Sequence, residues 1–307
     1  MASPIRRLHL GSCPDSWGVW YSDDPRQTPW DRFLDELAAA GYRWLELGPY
    51  GYLPTDPARL RDELDRRGLA CAGGTVAGAG GPHRDFATVL AETRKVAALT
   101  SALGAENLIF VPVPGYRDDV TGAYHEPAEL SPEQWRDLVR NTDTLGRILA
   151  EEYGLKLRFH PHADYQVETQ AQTERFLDGT DPRYVSLCLD TGHLAYRRAD
   201  VPGIIRKYPE RIGYVHLKQM DPAVAERALA EDLPFGRAVA QGASVEPPAG
   251  EPDVPTVVEA LRELDAELFV VVEQDMYPVE FDVPLPIAAR THAYLDSVLT
   301  IPGREDS

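Results

Sequence analysis

Short apolar runs alternate along this chain with longer stretches in which apolar residues recur every three or four positions. The first pattern predicts strands and the second amphipathic helices. Eight strands are expected, at 7–13, 43–48, 69–75, 107–113, 156–162, 184–190, 212–218 and 268–274. Several of them, NLIFVPV (107–113) and LFVVVEQ (268–274) among them, are almost continuously apolar, as strands covered on both faces of a parallel sheet are.

The helical stretches between them carry their own punctuation. Phe33, Leu34, Leu37 and Ala38 share one face of a helix that stops at Gly41, and Asp56 followed by Pro57 opens a second helix that stops at Gly68. A long helix is expected from about Phe86 to Gly104, another opens with Ser131 and Pro132, and PLPIAARTHAYLDSVL closes the chain. Strands alternating with helices in this way predict an α/β fold: one (β/α)₈ TIM-barrel domain over residues 1–300, with 301–307 as a frayed tail. Residues 220–255 break the rhythm. Two alanine- and acid-rich helical turns lead into GASVEPPAGEPDVP, so a long loop after the seventh strand is expected, lying on the active-site face and helping to cover a substrate.

Composition narrows the function. The 307 residues, 43% of them hydrophobic, suffice for a large core, and no apolar run reaches the roughly 20 residues of a membrane span. The N-terminal MASPIRRLHLGSC lacks the apolar stretch and cleavage site of a secretory signal, so a cytoplasmic protein is expected. A formal net charge of −18 repels phosphodiesters and anionic lipid headgroups, which argues against nucleic acid or membrane as partner. Cys13, Cys71 and Cys188 fall singly inside predicted strands and read as buried thiols. The glycine-rich GGTVAGAGGPHRDF has neither a dinucleotide-binding nor a P-loop pattern.

Candidate chemistry concentrates where the last four strands end. LRFHPH, VSLCLDTGH, IGYVHLK and LFVVVEQD each finish an apolar run with a side chain able to bind metal: His160 or His162, Asp190, His216 and Glu273. In a barrel these ends meet on one rim, where active sites are found. Singly, each residue has a structural explanation, such as Asp190 capping the turn that follows it. Their recurrence in four consecutive units points instead to a divalent ion held by oxygen and imidazole nitrogen: Mn²⁺ first, with Co²⁺, Zn²⁺ or Mg²⁺ as alternatives. His160 is the expected fourth ligand, with His162 or Glu168 as substitutes. His162 is the acid–base candidate, and Lys218, two residues beyond His216, shares its inward parity and is placed to hold a substrate oxygen or enolate. Glu273 is an alternative base. His193 faces either metal or substrate, or orients a ligand. On the other half of the rim, Asp15, Trp17, Glu46 and Tyr50 offer substrate contacts, and His83 in the third loop is either a further contact or exposed.

The order LCLDTGH, YVHLK, VVVEQD resembles the strand ends of the xylose-isomerase-like TIM-barrel superfamily. PDSWGVW (14–20), ELGPYGYLP (46–54) and FHPHADYQVET (159–169) are most similar to its inosose dehydratase branch. The resemblance implies a metal-dependent lyase of inositol catabolism acting on a small polyol or keto-sugar, in a chain that is usually a homo-oligomer. Many relatives have glutamate where this chain has His160, and loss of that second glutamate favours elimination over symmetric epimerisation. Isomerisation or epimerisation of a keto-sugar, cleavage of a 3-keto-glycoside and non-catalytic sugar binding are the alternatives. A DNA-repair role is opposed by the negative charge.

Overall fold

The computed structural model describes residues 8–300. The expected tail at 301–307 and Arg7 of the first expected strand lie outside the described residues. Eight parallel strands close into a barrel: β1 (Leu8–Ser12), β2 (Trp44–Glu46), β3 (Ala70–Val76), β4 (Asn107–Phe110), β5 (Lys156–Phe159), β6 (Val185–Asp190), β7 (Ile212–Leu217) and, last around the ring, β10 (Leu268–Val272), which returns to pair with β1. All eight expected strands are present. Most end earlier than the apolar runs do, so the candidate ligands sit on or just beyond the strand termini.

Helices α1 (Trp30–Ala39), α2 (Pro57–Asp65), α3 (Phe86–Ala102), α4 (Pro132–Ile148), α5 (Gln170–Gly179), α6 (Thr191–Tyr196), α7 (Val201–Lys207), α10 (Val254–Arg262) and α11 (Pro284–Thr300) occupy the crossovers and the chain end. Their starts follow local chemistry. Asp56 accepts the Arg59 amide at 2.8 Å ahead of α2, and Ser131 with Gln134 forms a reciprocal capping box ahead of α4. The main core lies between barrel and helices, where Leu34, Leu37, Leu45, Leu187, Leu189 and Val215 are buried. A second layer inside the barrel contains Ile109, Cys188, Tyr214 and Val271. All three cysteines are buried and free.

Strand pleating separates those two layers, because alternate residues point to opposite faces. In β6, Leu187 and Leu189 pack outward while Cys188 and Asp190 turn inward; in β7 the inward series is Tyr214 and His216 and continues to Lys218. Asp190 and His216 are direct neighbours in register.

The segment after β7 is more ordered than a loop. It contains α8 (Pro222–Ala230) and α9 (Phe235–Ala240), and β8 (Gln219–Met220) pairs antiparallel with β9 (Ser244–Val245). Phe235, Ala228, Ala238, Met220 and Ala243 bury one another and reach Tyr196 and Ala163 of the barrel rim. The expectation that GASVEPPAGEPDVP is loop throughout therefore fails at Ser244–Val245, where β8 supplies a partner.

Candidate metal centre

His160, Asp190, His216 and Glu273 converge at the C-terminal mouth of the barrel, each offering a ligand atom within 4.8 Å of the others, and all four are buried. His160 Nε2 lies 3.3 Å and His216 Nδ1 3.7 Å from Asp190 Oδ2, and His216 Nδ1 lies 2.5 Å from Glu273 Oε2. Donors around a divalent ion with bonds of about 2.0–2.2 Å stand roughly 3–4 Å apart, so the 3.3 and 3.7 Å spacings fit, while the His216–Glu273 pair stands closer and must part to admit an ion. Asp190 does two jobs: Oδ1 accepts the His193 amide at 2.7 Å and caps α6, while Oδ2 faces the histidines.

The orientation of His216 supplies a sharper test. Its Nε2–H donates to Glu46 Oε2 at 2.7 Å, and the other Glu46 oxygen accepts Thr75 Oγ1 at 2.5 Å. Held this way, the imidazole in its neutral form would present the Nδ1 lone pair to an ion; without one, burial is outweighed by Glu273 and Glu46, which hold its pKa well above the usual histidine value. Both Nδ1 and Glu273 Oε2 are buried without a hydrogen-bond partner. Either a proton or a divalent ion satisfies both atoms, and among divalent ions imidazole with carboxylate suits Mn²⁺, Co²⁺ or Zn²⁺ better than Mg²⁺.

Beside the cluster is Lys218, fully buried. Its Nζ lies 2.8 Å from Asp275 Oδ2, 3.4 Å from Glu273 Oε1 and 3.5 Å from Asp190 Oδ2, and it donates to His193 Nε2 at 3.0 Å. Burial alone favours the neutral amine, but Asp190, Asp275 and Glu273 hold its pKa well above the usual lysine value. Burial likewise raises Glu273, and Lys218 and His216 overcome it and hold the carboxyl well below its ordinary value. His162 stacks on Tyr165 at 4.2 Å and meets the His193 ring at 3.7 Å. Its Nδ1 donates to the Ala163 carbonyl at 2.7 Å, leaving the Nε2 lone pair free. Burial, with His160 and Lys218 nearby, pushes its pKa down to about 3.

The remaining candidates divide. Asp15 is half-buried and groups with Cys13 and Glu273; burial, Glu273 and Asp275 raise its pKa well above normal. Tyr50 is exposed on the β2–α2 loop. Trp17 is not a rim residue: a 3₁₀ turn at Pro14–Trp17 sends it under α1, where its indole donates to Glu36 and packs edge-on against Phe33. Glu46 is not free for substrate, since both oxygens are committed as described. His83 is neither exposed nor turned to the cluster, because its ring is buried and paired with Glu126 at 3.1 Å. His193 meets Lys218 Nζ through its Nε2 at 3.0 Å.

Four participants were not among the candidates. Asp275 continues the inward parity from Glu273, so the pattern VVVEQD carried a usable signal. Asp164, fully buried, accepts Arg117 at 2.8 Å and Arg197 at 3.0 Å through Oδ1 and the Phe235 amide at 2.6 Å through Oδ2. Phe235 thereby rests on His193, His162 and Tyr196. Asp119 carries a buried, unpartnered Oδ1. Asp164 and Asp119 sit in loops and Phe235 opens the short helix α9, where no periodicity marks them.

A family model for the xylose isomerase-like TIM barrel matches residues 34–296. The chain belongs to this family. Among curated relatives, it is 31% identical to the inosose dehydratase of Bacillus velezensis over 94% of this chain and 97% of that one. It is 27% identical to the inosose dehydratase of Lacticaseibacillus casei over 96% and 98%. Similar solved structures include the probable 3-DHS dehydratase AsbF of Bacillus anthracis (TM-score 0.71, 14% identity, 94% and 98% covered). IolI with a bound zinc atom is another (0.71, 16%, 97% and 100%). At these identities the structural likeness speaks to the fold. Among the described residues no helix is long and apolar enough to cross a membrane.

Proposed function

We propose that this chain is a divalent-metal-dependent lyase that dehydrates an inosose or closely related cyclic keto-polyol. The observation that carries the reading is the make-up of the four-donor cluster: one glutamate, Glu273, faces an imidazole, His160, where a symmetric proton transfer between two faces of one carbon calls for two matched bases. The inosose dehydratase relatives, matched over nearly their whole length, support the same choice.

His160, Asp190, His216 and Glu273 are the residues that would hold the ion, with Mn²⁺ the first choice. A bound ion supplies a Lewis acid for the substrate ketone and lowers the pKa of the adjacent carbon. The protein does the rest. His162 keeps Nδ1–H on the Ala163 carbonyl, so Nε2 is the lone pair available to take the α-proton. Lys218 brings a fixed positive charge to the enolate oxygen from a site where water does not screen it. Asp15 offers a carboxyl to a ring hydroxyl. Phe235 covers the His162–His193 pair and keeps water from it.

The deciding experiment combines metal analysis of the purified protein with turnover of 2-keto-myo-inositol, followed by the ultraviolet absorbance of an enedione-type product and by loss of the mass of water. Dehydration that disappears on chelation and in Asp190→Asn supports the reading. Exchange of the α-proton without loss of water would identify an epimerase or isomerase, and full activity in Glu273→Gln would overturn the metal-centred scheme.

A further inference from the structure

The loop between β4 and α4 brings a carboxylate to the mouth of the barrel. Its backbone is clamped on both sides of Asp119. Arg117 donates to Asp164 Oδ1, Asp232 Oδ1 and the Leu233 carbonyl, and Arg237 Nε donates to the Val120 carbonyl at 2.6 Å. Gly236 of α9 comes so close that a Cβ there would stand 2.6 Å from the Asp119 carbonyl oxygen. The position of this loop is therefore set by the segment that follows β7.

The Asp119 side chain is surrounded by groups from across the rim. Asp118 and Arg117 of its own loop, Asp164 and Tyr165 of the β5–α5 loop, Asp275 beyond β10 and Tyr21 of the β1–α1 loop are all within electrostatic reach. Tyr165 stacks on His162, Asp275 pairs with Lys218, and Asp119 packs against Gly236, next to the Phe235 that covers His162, so its loop borders the same mouth. Its Oδ1 is buried and takes no hydrogen bond. Nearby Asp164, Glu168, Asp275 and Glu126 are each paired with a cation, and Asp119 is not. An anionic oxygen buried without a donor is unstable, and the instability is removed either by a proton or by a ligand hydroxyl.

We propose, resting on the dehydratase reading, that Asp119 is a catalytic residue that touches the β-hydroxyl of the substrate and protonates it as it leaves. Burial first, then Asp164, Asp118 and Asp275, raise its pKa to about 7 against the opposing pull of Arg117, so a protonated fraction is present at neutral pH. The step balances. The base keeps the α-proton, the C–H electron pair becomes the new C=C bond, the Cβ–O bond breaks with its electrons on oxygen, and the Asp119 proton completes a water molecule. Asp119 is left as carboxylate and recovers its proton from solvent.

The test is Asp119→Asn in the full chain, assayed with 2-keto-myo-inositol in D₂O. Dehydration is expected to fall about 100-fold. Exchange of the α-proton for deuterium, which needs only the base, is expected to stay within about threefold of wild type, and Asp119→Glu to recover part of the dehydration. Dehydration unchanged, or dehydration and exchange falling together in a variant with an unaltered melting curve, would overturn the proposal. A second measurement needs no turnover: the infrared difference between wild type and Asp119→Asn should contain a protonated-carboxyl band that titrates near neutral pH. Its absence overturns the Asp119 assignment whatever the substrate. Its presence in a wild type that dehydrates no inosose places the failure in the dehydratase reading instead.

Discussion

His216 on β7 and Glu46 on β2 meet across the barrel, 170 residues apart in sequence, through a 2.7 Å hydrogen bond from Nε2–H to Oε2. That bond selects the tautomer and turns Nδ1 toward Asp190 and Glu273. A carboxylate behind a metal-binding histidine commonly changes metal affinity 10- to 100-fold when removed. Glu46→Gln should therefore weaken Mn²⁺ or Zn²⁺ binding by about 10-fold or more, measured by competition with a chromogenic chelator. Wild-type affinity in that variant would mean that Glu46 does not orient a ligand.

Lys218 is a buried cation facing three buried carboxylates, those of Asp190, Glu273 and Asp275. Lys218→Met keeps much of the volume and removes the charge. Breaking a buried ion network from one side costs about 3–5 kcal/mol, and the metal-free variant should lose stability on that scale in urea titration. Added Mn²⁺ should restore part of the loss, because it returns positive charge to Asp190 and Glu273.

Phe235 links the segment after β7 to the two histidines and is almost completely buried. Its truncation to alanine removes contacts of a kind worth about 3–5 kcal/mol in a core, but here they belong to a small satellite cluster. The expected outcome is local: amide hydrogen exchange accelerates over residues 222–245 while the barrel strands keep their protection. Asp164→Ala, which removes the acceptor of the Phe235 amide, should open the same segment.

Asp119 gives a pH dependence of defined sign. Its folded-state pKa is about 7 against an ordinary 3.8, so between those values the native protein binds more protons than the unfolded chain. Stability from this group is fully present below its unfolded pKa and is lost as pH rises through about 7. The urea midpoint of wild type should fall from pH 5 to pH 8 by more than that of Asp119→Asn. Parallel profiles would show that the carboxyl titrates normally.

The inward strand-end donors were readable because strand pleating has a period of two. Once an apolar run is recognised as a barrel strand, the parity that buries Leu187 and Leu189 outside turns Cys188 and Asp190 inside, and the same rule covers His160, His216, Lys218 and Glu273. Asp275 follows from that rule too, two positions beyond Glu273. Trp17, Glu46 and His83 show where such reasoning stops. Glu46 has the inward parity of a rim residue, yet its function depends on His216 arriving opposite it. Trp17 leaves the rim because one 3₁₀ turn redirects the chain beneath α1, and His83 finds Glu126 in a neighbouring loop.

By itself, then, the amino-acid order determined the eight strands, the barrel class and the strand-end donors, because each depends on local periodicity and on burial of apolar residues next to one another in the chain. Tertiary structure alone decided which carboxylate orients His216, which acids surround Lys218, and how Asp164 joins four segments to seat Phe235. Those contacts connect residues tens to hundreds of positions apart, and their energies come from charge and hydrogen bonding at distances that no local pattern encodes.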